Sequence, residues 1–271
     1  MINRIRNFFY ARFPIHNFLG KNNFEKQFTS KYIFYDKKLN FAYDLNTDIG
    51  KMLYWDRNFE SIEIDFFTKL IQQKSIEVLI DIGANIGWDC INWIKHTKLV
   101  NAYAFEPSIG TRSILEFNKK MNGLQNLTIA PKAMSDQKGF CTFYDSADNA
   151  YSSLKDTQRK KIVQHYDVEV TTLNSFAQEL AIHSSKKIFV KIDVEGFENE
   201  VIAGGLDFIK QNKPELFIEI YQGNNSNKNP NFIFEKLSEI GYKSYFFQET
   251  SLISTNGYLP AFYNYYFTCD N

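Results

Sequence analysis

The sequence predicts a doubly wound α/β fold with a mainly parallel sheet, an antiparallel pair of strands at one edge, and an N-terminal helix and hairpin extension. From residue 76 onward, short apolar runs alternate with amphipathic segments, as in "IEVLIDIG" followed by "WDCINWIKHT". This alternation is typical of a parallel sheet covered by helices on both faces. The last two strand candidates are joined by a short connection, which predicts the antiparallel pair.

Residues 1–50 are predicted to form an extension ahead of a larger domain that covers residues 51–271. Apolar residues of the first stretch recur at helical spacing with arginines between them; they are Ile2, Ile5, Phe9 and Phe13. The pattern fits a helix that packs on its own domain or on a partner subunit. It also fits a weak contact of residues 1–20 with a membrane surface. The pattern defines no oligomeric state.

Residues 32–45 contain two aromatic-rich runs around the polar turn Asp36-Lys37-Lys38, which predicts a β-hairpin. The segment after the hairpin predicts a helix, because its apolar residues are spaced three and four apart. These residues are Phe59, Ile62, Phe66, Phe67 and Leu70.

The alternating region supplies the elements of the predicted sheet. Strands are predicted for "IEVLIDIG", "NAYAFEP", "NLTIAPKAM", "KIFVKIDV" and "ELFIEIY", and helices for "WDCINWIKHT", "TRSILEFNKKMNG", "FENEVIAGGLDFIKQN" and "FIFEKLSEIG". The final strands are "YKSYFFQ" and "YNYYFTC". Residues 139–171 interrupt the rhythm with two strand-like runs, "GFCTFYD" and "YDVEVTT", on either side of a polar stretch.

The composition narrows the classes of function. Formal net charge is zero and the pI is about 6.9, so no broad basic field is available to hold nucleic acid, and we expect no such partner. The three cysteines are far apart and form no CxxC pair, which disfavours a disulfide framework or a zinc knuckle. We expect neither a membrane-spanning segment nor a secretory signal. The expected location is the cytoplasm, with a peripheral position at the inner membrane surface as the alternative.

The first strand of the alternating region ends in a bare loop. Asp81 is followed by Gly83, Asn85 and Gly87. Ligands of doubly wound sheets bind outside the carboxyl ends of the strands, and a glycine there lets a ligand approach the backbone closely. The alternative is an ordinary tight turn in which Gly87 packs a helix against the sheet. The spacing is not that of the G-x-G-x-x-G dinucleotide fingerprint, and no P-loop is present.

The second strand ends in Glu106, which is followed by Pro107. Glu106 stands about 20 residues beyond the glycine loop, where doubly wound folds place an acid against the diol of a ribose. A carboxylate can accept hydrogen bonds from both hydroxyls, and such charge-assisted bonds are the stronger kind. The loop and the acid in register predict a nucleoside-type cofactor.

Further acids follow the fourth and fifth main strands. Asp193 and Glu195 come after "KIFVKI", and Glu219 lies at the end of "ELFIE". Ionisable residues at the ends of apolar strands are costly unless they are paired or used. Lys191 offers a pairing partner for one of them. We expect these three acids to converge on one cleft.

Several blocks carry a resemblance to a known family. They are "LIDIGANIGWD", "AFEPS", "KAMSD", "SSL", "VEVTTLNSF", "FVKIDVEGFENEVIAGG" and "PELFIEI". In this order they resemble the FkbM family of S-adenosylmethionine-dependent methyltransferases over residues 50–222. The resemblance implies a class I, Rossmann-like methyltransferase fold and O-methylation of a hydroxyl, with S-adenosylhomocysteine as product. The chain departs from the family's common pattern at Asn174, where aspartate is frequent, and at Tyr221, where histidine is frequent.

The resemblance also implies roles for the strand-end residues. Glu106 is expected to hold the ribose, the bare loop to border the methionine half, and Asp81 to favour its cationic groups. Ala133 is expected to flank the adenine. The residues expected to bind the cofactor are Asp81, Gly83, Ala84, Asn85, Gly87, Glu106, Pro107, Ala133 and Asp193.

A sugar hydroxyl is barely ionised at neutral pH and needs a general base or a metal to become a good nucleophile. Asp193, Glu195 and Glu219 are the catalytic candidates. A divalent metal is not favoured, because Asn174 and Tyr221 replace family residues that would complete a site.

The acceptor is expected to be a carbohydrate-like molecule, such as a sugar nucleotide, a surface glycan or a glycolipid. "MLYWDRNFE" places aromatic rings, which suit sugar faces, beside acids and arginine, which suit hydroxyls. Trp55 is alternatively a core residue. The candidate acceptor contacts are Tyr54, Trp55, Glu60, Ser152, Ser153, His165 and Tyr221. The alternatives are a polyketide-type acceptor, a non-enzymatic nucleotide-binding or assembly domain, and an NAD-dependent oxidoreductase.

Overall fold

A computed structural model describes residues 31–36, 39–55, 60–180, 186–223 and 229–269. The chain divides into two compact units, Met1–Phe59 and Glu60–Asn271. The sequence pattern places this boundary at residue 50 instead. The amphipathic stretch at residues 1–20 lies outside the described part. No helix in the described ranges is long and apolar enough to cross a bilayer.

The first unit contains the hairpin that the sequence predicts. β1 (Lys31–Asp36) pairs antiparallel with β2 (Leu39–Asp44). A helix that the sequence did not predict follows, α1 (Asp48–Trp55). It begins after Thr47, whose hydroxyl accepts a hydrogen bond from the backbone N–H of Gly50 at 3.0 Å. Thr47 therefore caps this helix by the usual side-chain mechanism.

The second unit alternates strands and helices as predicted. In chain order its elements are α2 (Ser61–Gln73), β3 (Val78–Ile82), α3 (Trp88–His96), β4 (Asn101–Phe105), α4 (Ile109–Met121), β5 (Leu127–Ala130), β6 (Ala133–Met134), β7 (Gly139–Ser146), β8 (Ile162–Thr171), α5 (Leu173–Glu179), β9 (Ile188–Ile192), α6 (Glu198–Ala203), α7 (Leu206–Asn212), β10 (Glu215–Glu219), α8 (Asn231–Glu239), β11 (Lys243–Gln248), β12 (Ser251–Thr255) and β13 (Asn264–Thr268).

Eight strands form the main sheet in the order β12-β11-β13-β10-β9-β3-β4-β5. The pairs from β10 to β5 are parallel, and β13 runs antiparallel to both of its neighbours. The strand order reverses at β3, which lies between β4 and β9. In doubly wound sheets this reversal marks the crevice for the ligand.

Both faces of the sheet are covered. On one face Phe67 of α2 packs against Phe217, with ring centroids 4.2 Å apart, and against Trp93 of α3 and Phe189. The buried core on the other face contains Ile80 and Val190 of the sheet together with residues of α5 to α8. The predicted doubly wound, mainly parallel sheet is confirmed.

The structure corrects several predicted elements. The single strand "NLTIAPKAM" is wrong, because β5 joins the main sheet and β6 joins a separate one. The long helix after β9 is broken at Gly204-Gly205, where an added Cβ on Gly204 would lie 2.2 Å from the carbonyl oxygen of Ser135. The sequence did not predict α5 or β12. The predicted antiparallel pair is β11 and β13, and β12 occupies the edge beyond it.

A second, three-stranded sheet contains the segment that breaks the rhythm. Here β8 lies between β6, to which it is parallel, and β7, to which it is antiparallel. The two strands predicted within residues 139–171 are thus confirmed. We call residues 139–171 the insert. A 3-10 turn, Asn149–Tyr151, lies between its two strands.

Candidate active site

The loop after β3 is held tightly against neighbouring backbone. The N–H groups of Gly83 and Ala84 both donate to the carbonyl of Phe105, at 3.1 and 3.0 Å. Gly83 has a φ of +86°, and an added Cβ would lie 1.7 Å from the carbonyl oxygen of Asp193. The expectation that Gly83 leaves room for the cofactor is therefore corrected, because the chain at Asp193 fills the space beside its Cα.

Gly87 serves the packing of helices. It precedes α3 with a φ of +85°, and an added Cβ would lie 2.3 Å from Cδ1 of Leu115 on α4. A positive φ and a close neighbour both favour glycine. The structure thus gives the packing role that the sequence left as the alternative for Gly87.

Glu106 is buried at the end of β4. Its carboxylate accepts hydrogen bonds from the backbone N–H of Asn85 at 2.9 Å and of Ser108 at 2.8 Å. Burial raises its pKa to about 7, although these two hydrogen bonds lower it. The carbonyl of Pro107 accepts from Arg112 at 2.9 Å, which fixes the chain just beyond Glu106. Glu106 is thus held between the loop after β3 and the start of α4.

Asp145 of the insert is a site residue that the sequence analysis missed. It is buried, and its carboxylate accepts from Ser152 at 3.1 Å and from Gln164 at 2.9 Å. Its negative charge contributes to the raised pKa of Glu106. The hydroxyl of Ser152 therefore supports Asp145, and its contact with the acceptor stays a prediction. Asp145 ends an amphipathic strand and carries no local motif that would have revealed it.

Hydrogen bonds between two asparagines join the insert to the loop after β3. Asn149 donates from its side-chain amide to Oδ1 of Asn85 at 3.0 Å, and the Asn85 amide donates to the carbonyl of Asn149 at 3.3 Å. Asn85 adopts a φ of 49°, a left-handed conformation that asparagine tolerates better than most residues. Asn149 was not predicted, since only the fold brings it to this loop.

Lys191 lies at the centre of a buried charge cluster. Its Nζ is 2.9 Å from Asp89, 3.2 Å from Asp193 and 3.9 Å from Asp81. Burial lowers the pKa of Lys191, but Asp89, then Asp193 and Asp81, raise it well above its usual value. The predicted pairing of Lys191 with a strand-end acid is confirmed.

Asp81 is 1% exposed, opposite Lys191 in the register of β3 and β9. Desolvation raises its pKa to about 6. The Cys90 thiol and the Lys191 ammonium face its carboxyl group, but within the described ranges neither oxygen accepts a hydrogen bond of ordinary geometry. A buried carboxyl with unfilled acceptor positions is costly unless a further donor or cation reaches it.

Three carboxyl groups, which we call the acid cluster, converge as predicted. Oxygens of Asp193, Glu195 and Glu219 lie within 4.8 Å of one another. The charge of Asp193, and then burial, raises the pKa of Glu219 to about 8. Carboxylates at this separation repel each other, which contributes to the raised pKa values of Glu195 and Glu219. Their catalytic roles stay predictions.

Arg159 of the insert was not predicted, and it contacts the acid cluster directly. It forms an ion pair with Glu195. Its guanidinium lies 4.4 Å from the ring centroid of Tyr151 and 4.9 Å from that of Tyr221, which in turn contacts Tyr263. Tyr221, a predicted acceptor contact, is thus brought to the cluster. Arg159 stands in a polar run without periodicity, where sequence patterns give no signal.

Ser153 and His165 are placed differently from the expectation. Ser153 is 2% exposed, and its hydroxyl lies 3.0 and 3.1 Å from the carbonyls of Glu195 and Val194. It supports the loop after β9, so the expected acceptor contact is corrected for Ser153. His165 is exposed on β8 opposite Tyr144 and is not part of the acid cluster. An acceptor contact for His165 stays a prediction.

Asn174 caps a helix. Its side-chain oxygen accepts from the backbone N–H of Phe208 at 2.9 Å, and its amide lies 3.3 Å from Asp207. The departure from the family pattern at this position therefore concerns α7, and it does not support the argument against a metal. Ala133 is buried beside Phe143 and Val170 in the core of the small sheet. Its contact with adenine stays a prediction.

The remaining acceptor candidates stand at the start of the chain. Tyr54 is half-buried in α1 of the first unit, and the side chain of Trp55 lies outside the described part. Glu60 is exposed with a φ of 50° directly ahead of α2. The charges of Asp89 and Lys191 act on its carboxyl group in opposite directions. Glu60 is therefore near the charge cluster around Lys191.

Comparison with known proteins identifies the family. Residues 81–244 match the model of the methyltransferase FkbM domain. The chain belongs to the FkbM methyltransferase family. The doubly wound sheet in which β13 is inserted antiparallel between β10 and β11 is the class I methyltransferase fold expected for FkbM proteins. Both blocks with the densest site residues, at Asp81 and at Asp193, lie within the matched range.

Individual relatives are more distant. 2-O-methyltransferase NoeI of Sinorhizobium fredii (strain NBRC 101917 / NGR234) is 25% identical over 155 residues, which cover 52% of this chain and 62% of NoeI. The crystal structure of methyltransferase FkbM from Methylobacillus flagellatus KT is 16% identical, with a TM-score of 0.46, over 71% of this chain and 43% of that one. M. jannaschii TYW2 in complex with AdoMet is 14% identical, with a TM-score of 0.46, over 88% and 84%. The matches thus span less than two thirds of NoeI and of the FkbM crystal-structure chain.

Proposed function

We propose that the protein is an S-adenosylmethionine-dependent O-methyltransferase that acts on a hydroxyl of a carbohydrate-like acceptor. The observation that carries this proposal is the FkbM match over the two blocks that build the cleft. The chain's similarity to NoeI, a 2-O-methyltransferase, supports transfer to oxygen. A cytoplasmic location is part of the proposal, with residues 1–20 contacting a membrane surface or a partner subunit.

The residues at the strand ends fit this cofactor. Glu106 is fixed at the end of β4. Within the described part of the chain each of its carboxylate oxygens accepts one hydrogen bond, so both can also accept from ribose hydroxyls. Asp81 has unfilled acceptor positions among the described residues, which suits a cationic ammonium or sulfonium nearby. Asp193 shares Lys191 with Asp81 and would complete the negative side of the site.

The cofactor supplies a methyl group on a sulfonium, and its carbon–sulfur bond breaks with the electron pair left on sulfur as the acceptor oxygen bonds to the methyl carbon. The protein must align the hydroxyl and remove its proton. The acid cluster is placed for the second task, since its three carboxyl groups converge at the carboxyl ends of β9 and β10. We propose that one of them acts as the general base without a divalent metal.

A carbohydrate-like acceptor is supported by aromatic rings beside the acid cluster. The ring centroids of Tyr221 and Tyr263 lie 5.6 Å apart, and Tyr263 is 47% exposed. Rings at the mouth of a cleft offer flat apolar surfaces for the C–H faces of sugars, and carboxylates accept from hydroxyls. Acceptor contacts of Tyr54, Trp55 and Glu60 remain part of the proposal on the sequence pattern alone.

Two measurements test this function in sequence. Titration calorimetry with S-adenosylmethionine, S-adenosylhomocysteine and NAD should show binding of the first two only. Transfer of a labelled methyl group to a panel of sugar nucleotides and oligosaccharides should then yield an O-methylated sugar. Cofactor binding without transfer to any hydroxyl would favour a non-enzymatic domain. Transfer confined to a polyketide, a protein side chain or a nucleic acid would overturn the acceptor class.

A further inference from the structure

Two basic side chains contact two of the three carboxyl groups in the acid cluster. Lys191 donates to Asp193 at 3.2 Å, and Arg159 forms an ion pair with Glu195. Within the described ranges, Glu219 makes neither a hydrogen bond nor an ion pair with the protein. Glu219 is half-buried, so solvent or an acceptor can reach it. The three acids therefore differ in their partners although they lie together.

Two tyrosine rings hold the Arg159 side chain beside the acid cluster. Its guanidinium lies between the rings of Tyr151 and Tyr221, at 4.4 and 4.9 Å from their centroids. Stacking on two aromatic faces restricts a flat, delocalised cation to one plane, and a guanidinium stays charged throughout the accessible pH range. Its partner Glu195 has a left-handed backbone conformation, with a φ of 55°, and its carbonyl accepts a hydrogen bond from Ser153 at 3.0 Å.

Charged residues of β9 and the loop after it, of α6 and of the insert act on Glu219. Those that raise its pKa are Asp193 and Glu198, and those that lower it are Lys191 and Arg159. Burial, and then the charges of Asp193 and Glu219, raise the pKa of Glu195 well above its usual range, and Arg159 opposes this rise. Glu195 and Glu219 thus compete for protons as a coupled pair, whose titration belongs to both groups together.

An ion pair decides such a competition, because protonating the carboxylate that pairs with a fixed cation sacrifices the charge-assisted hydrogen bond. We infer that Arg159 is a positioning residue that holds Glu195 as a carboxylate, so that Glu219 is the member of the acid cluster that accepts the proton of the acceptor hydroxyl. This inference rests on the proposed function only for the origin of the proton.

The proton balance of the reaction follows directly. The acceptor hydroxyl gives its proton to a carboxylate oxygen of ionised Glu219, the form that predominates above about pH 8, as its own oxygen bonds to the methyl carbon and the carbon–sulfur bond breaks. The protonated Glu219 then releases that proton to solvent, to which it is partly exposed. Glu195 remains charged throughout.

The test is an NMR titration of glutamate carboxyl carbons in the full chain without ligand, using ¹³C-labelled glutamate. Spectra of Glu195→Gln and Glu219→Gln assign the two signals. In the wild type, the Glu219 carbon should titrate around pH 8, and the Glu195 carbon should keep its carboxylate position in that range. In Arg159→Gln, Glu195 should take up a proton in the same range.

Two variants provide controls. Arg159→Lys keeps the positive charge and should preserve the wild-type assignment. Lys161→Gln removes an exposed positive charge from the same segment and should change neither titration. A wild-type protein in which Glu195 titrates and Glu219 stays ionised would overturn the inference, and this result does not depend on whether Arg159→Gln folds. An unchanged Glu195 in folded Arg159→Gln would overturn it as well. Failure to bind S-adenosylhomocysteine would instead remove the proposed function and leave the titration result standing.

Discussion

A Cβ added to Gly83 would lie 1.7 Å from the carbonyl oxygen of Asp193. The contact joins the loop after β3 to the loop after β9, and the two loops belong to neighbouring strands of the sheet. This backbone contact, rather than the cofactor, makes glycine necessary at residue 83.

Gly83→Ala should therefore reduce the stability of the protein itself, because the Asp193 backbone must shift and the φ of +86° is strained for alanine. We expect a loss of about 2–4 kcal/mol, as for other substitutions that combine overpacking with backbone strain. Thermal unfolding without cofactor measures it. The matched control is Gly110→Ala in α4, where an added Cβ meets nothing within 4 Å and should be neutral or slightly stabilising. Equal melting temperatures for Gly83→Ala and the wild type would contradict the structure.

Glu106 should make cofactor affinity depend on pH. Ribose hydroxyls donate to the ionised carboxylate, whose pKa is about 7, so affinity should be full above that pH and fall below it. Calorimetry with S-adenosylhomocysteine between about pH 5.5 and 8.5 measures the trend. Glu106→Gln should weaken binding by about 1.5–3 kcal/mol and flatten the pH dependence. Glu116→Gln, an exposed change on α4, should behave as the wild type does. Tight, pH-dependent binding by Glu106→Gln would mean that another group holds the ribose.

The protein without ligands should become more stable as the pH falls from about 9 to about 6. Folding raises the pKa of Glu219 to about 8 and that of Glu106 to about 7. An acid whose pKa is raised on folding contributes stability below its unfolded pKa, and this contribution is lost as the pH rises through the folded pKa. The melting temperature should rise by on the order of 5 °C, since 1 kcal/mol corresponds to about 2–4 °C in a chain of this size. Glu219→Gln should flatten the part of this curve around pH 8. A melting temperature that falls as the pH is lowered from about 9 to about 6 would show that folding does not raise the pKa values of Glu219 and Glu106.

Catalysis should depend on the acid cluster. Glu219→Gln should lower turnover by at least ~100-fold, the usual scale for loss of a general base, while cofactor affinity is kept. Asp193→Asn should lower turnover similarly and also weaken cofactor binding, because Asp193 shares Lys191 with Asp81. Steady-state kinetics and calorimetry on the same preparations separate the two effects. Wild-type turnover by Glu219→Gln would exclude it as the base.

Methyl transfer should survive removal of divalent metals. Asp193 and Glu195 each have a cationic partner, Lys191 and Arg159, which a divalent cation would have to displace. We expect unchanged activity after dialysis against EDTA and no gain on adding Mg²⁺. Activity that is lost in EDTA and restored by Mg²⁺ would show that the three acids bind a metal.

Local sequence patterns were sufficient for the strand ends of the cleft. Asp81, Glu106 and Glu219 could be placed because each follows a short apolar run, and parallel strands deliver such residues to one edge of a sheet. The same patterns failed where distant contacts decide the structure. Gly204-Gly205 breaks a helix because the Ser135 backbone lies against it, and the role of Gly83 depends on the Asp193 carbonyl.

The insert was the least predictable part of the site. Its strands could be recognised from alternation, but Asp145, Asn149 and Arg159 act through partners on other elements. Nothing in the polar run around Arg159 indicates two flanking tyrosine rings. For Ser153, by contrast, a short motif was recognised but its role was misjudged, since the serine bonds the loop after β9.

The position of β13 sets the order in which the last strands can join the sheet during synthesis. β13 is inserted between β10 and β11, and no pairing joins those two strands to each other. When residues 243–255 emerge, β11 and β12 can form a hairpin, but they have no place on the sheet until residues 264–268 arrive. Until then β10 presents an open, apolar edge, which is the kind of surface that favours mispairing between nascent chains. A ribosome that pauses between residues 255 and 264 would therefore hold the nascent chain in a state that is prone to aggregation.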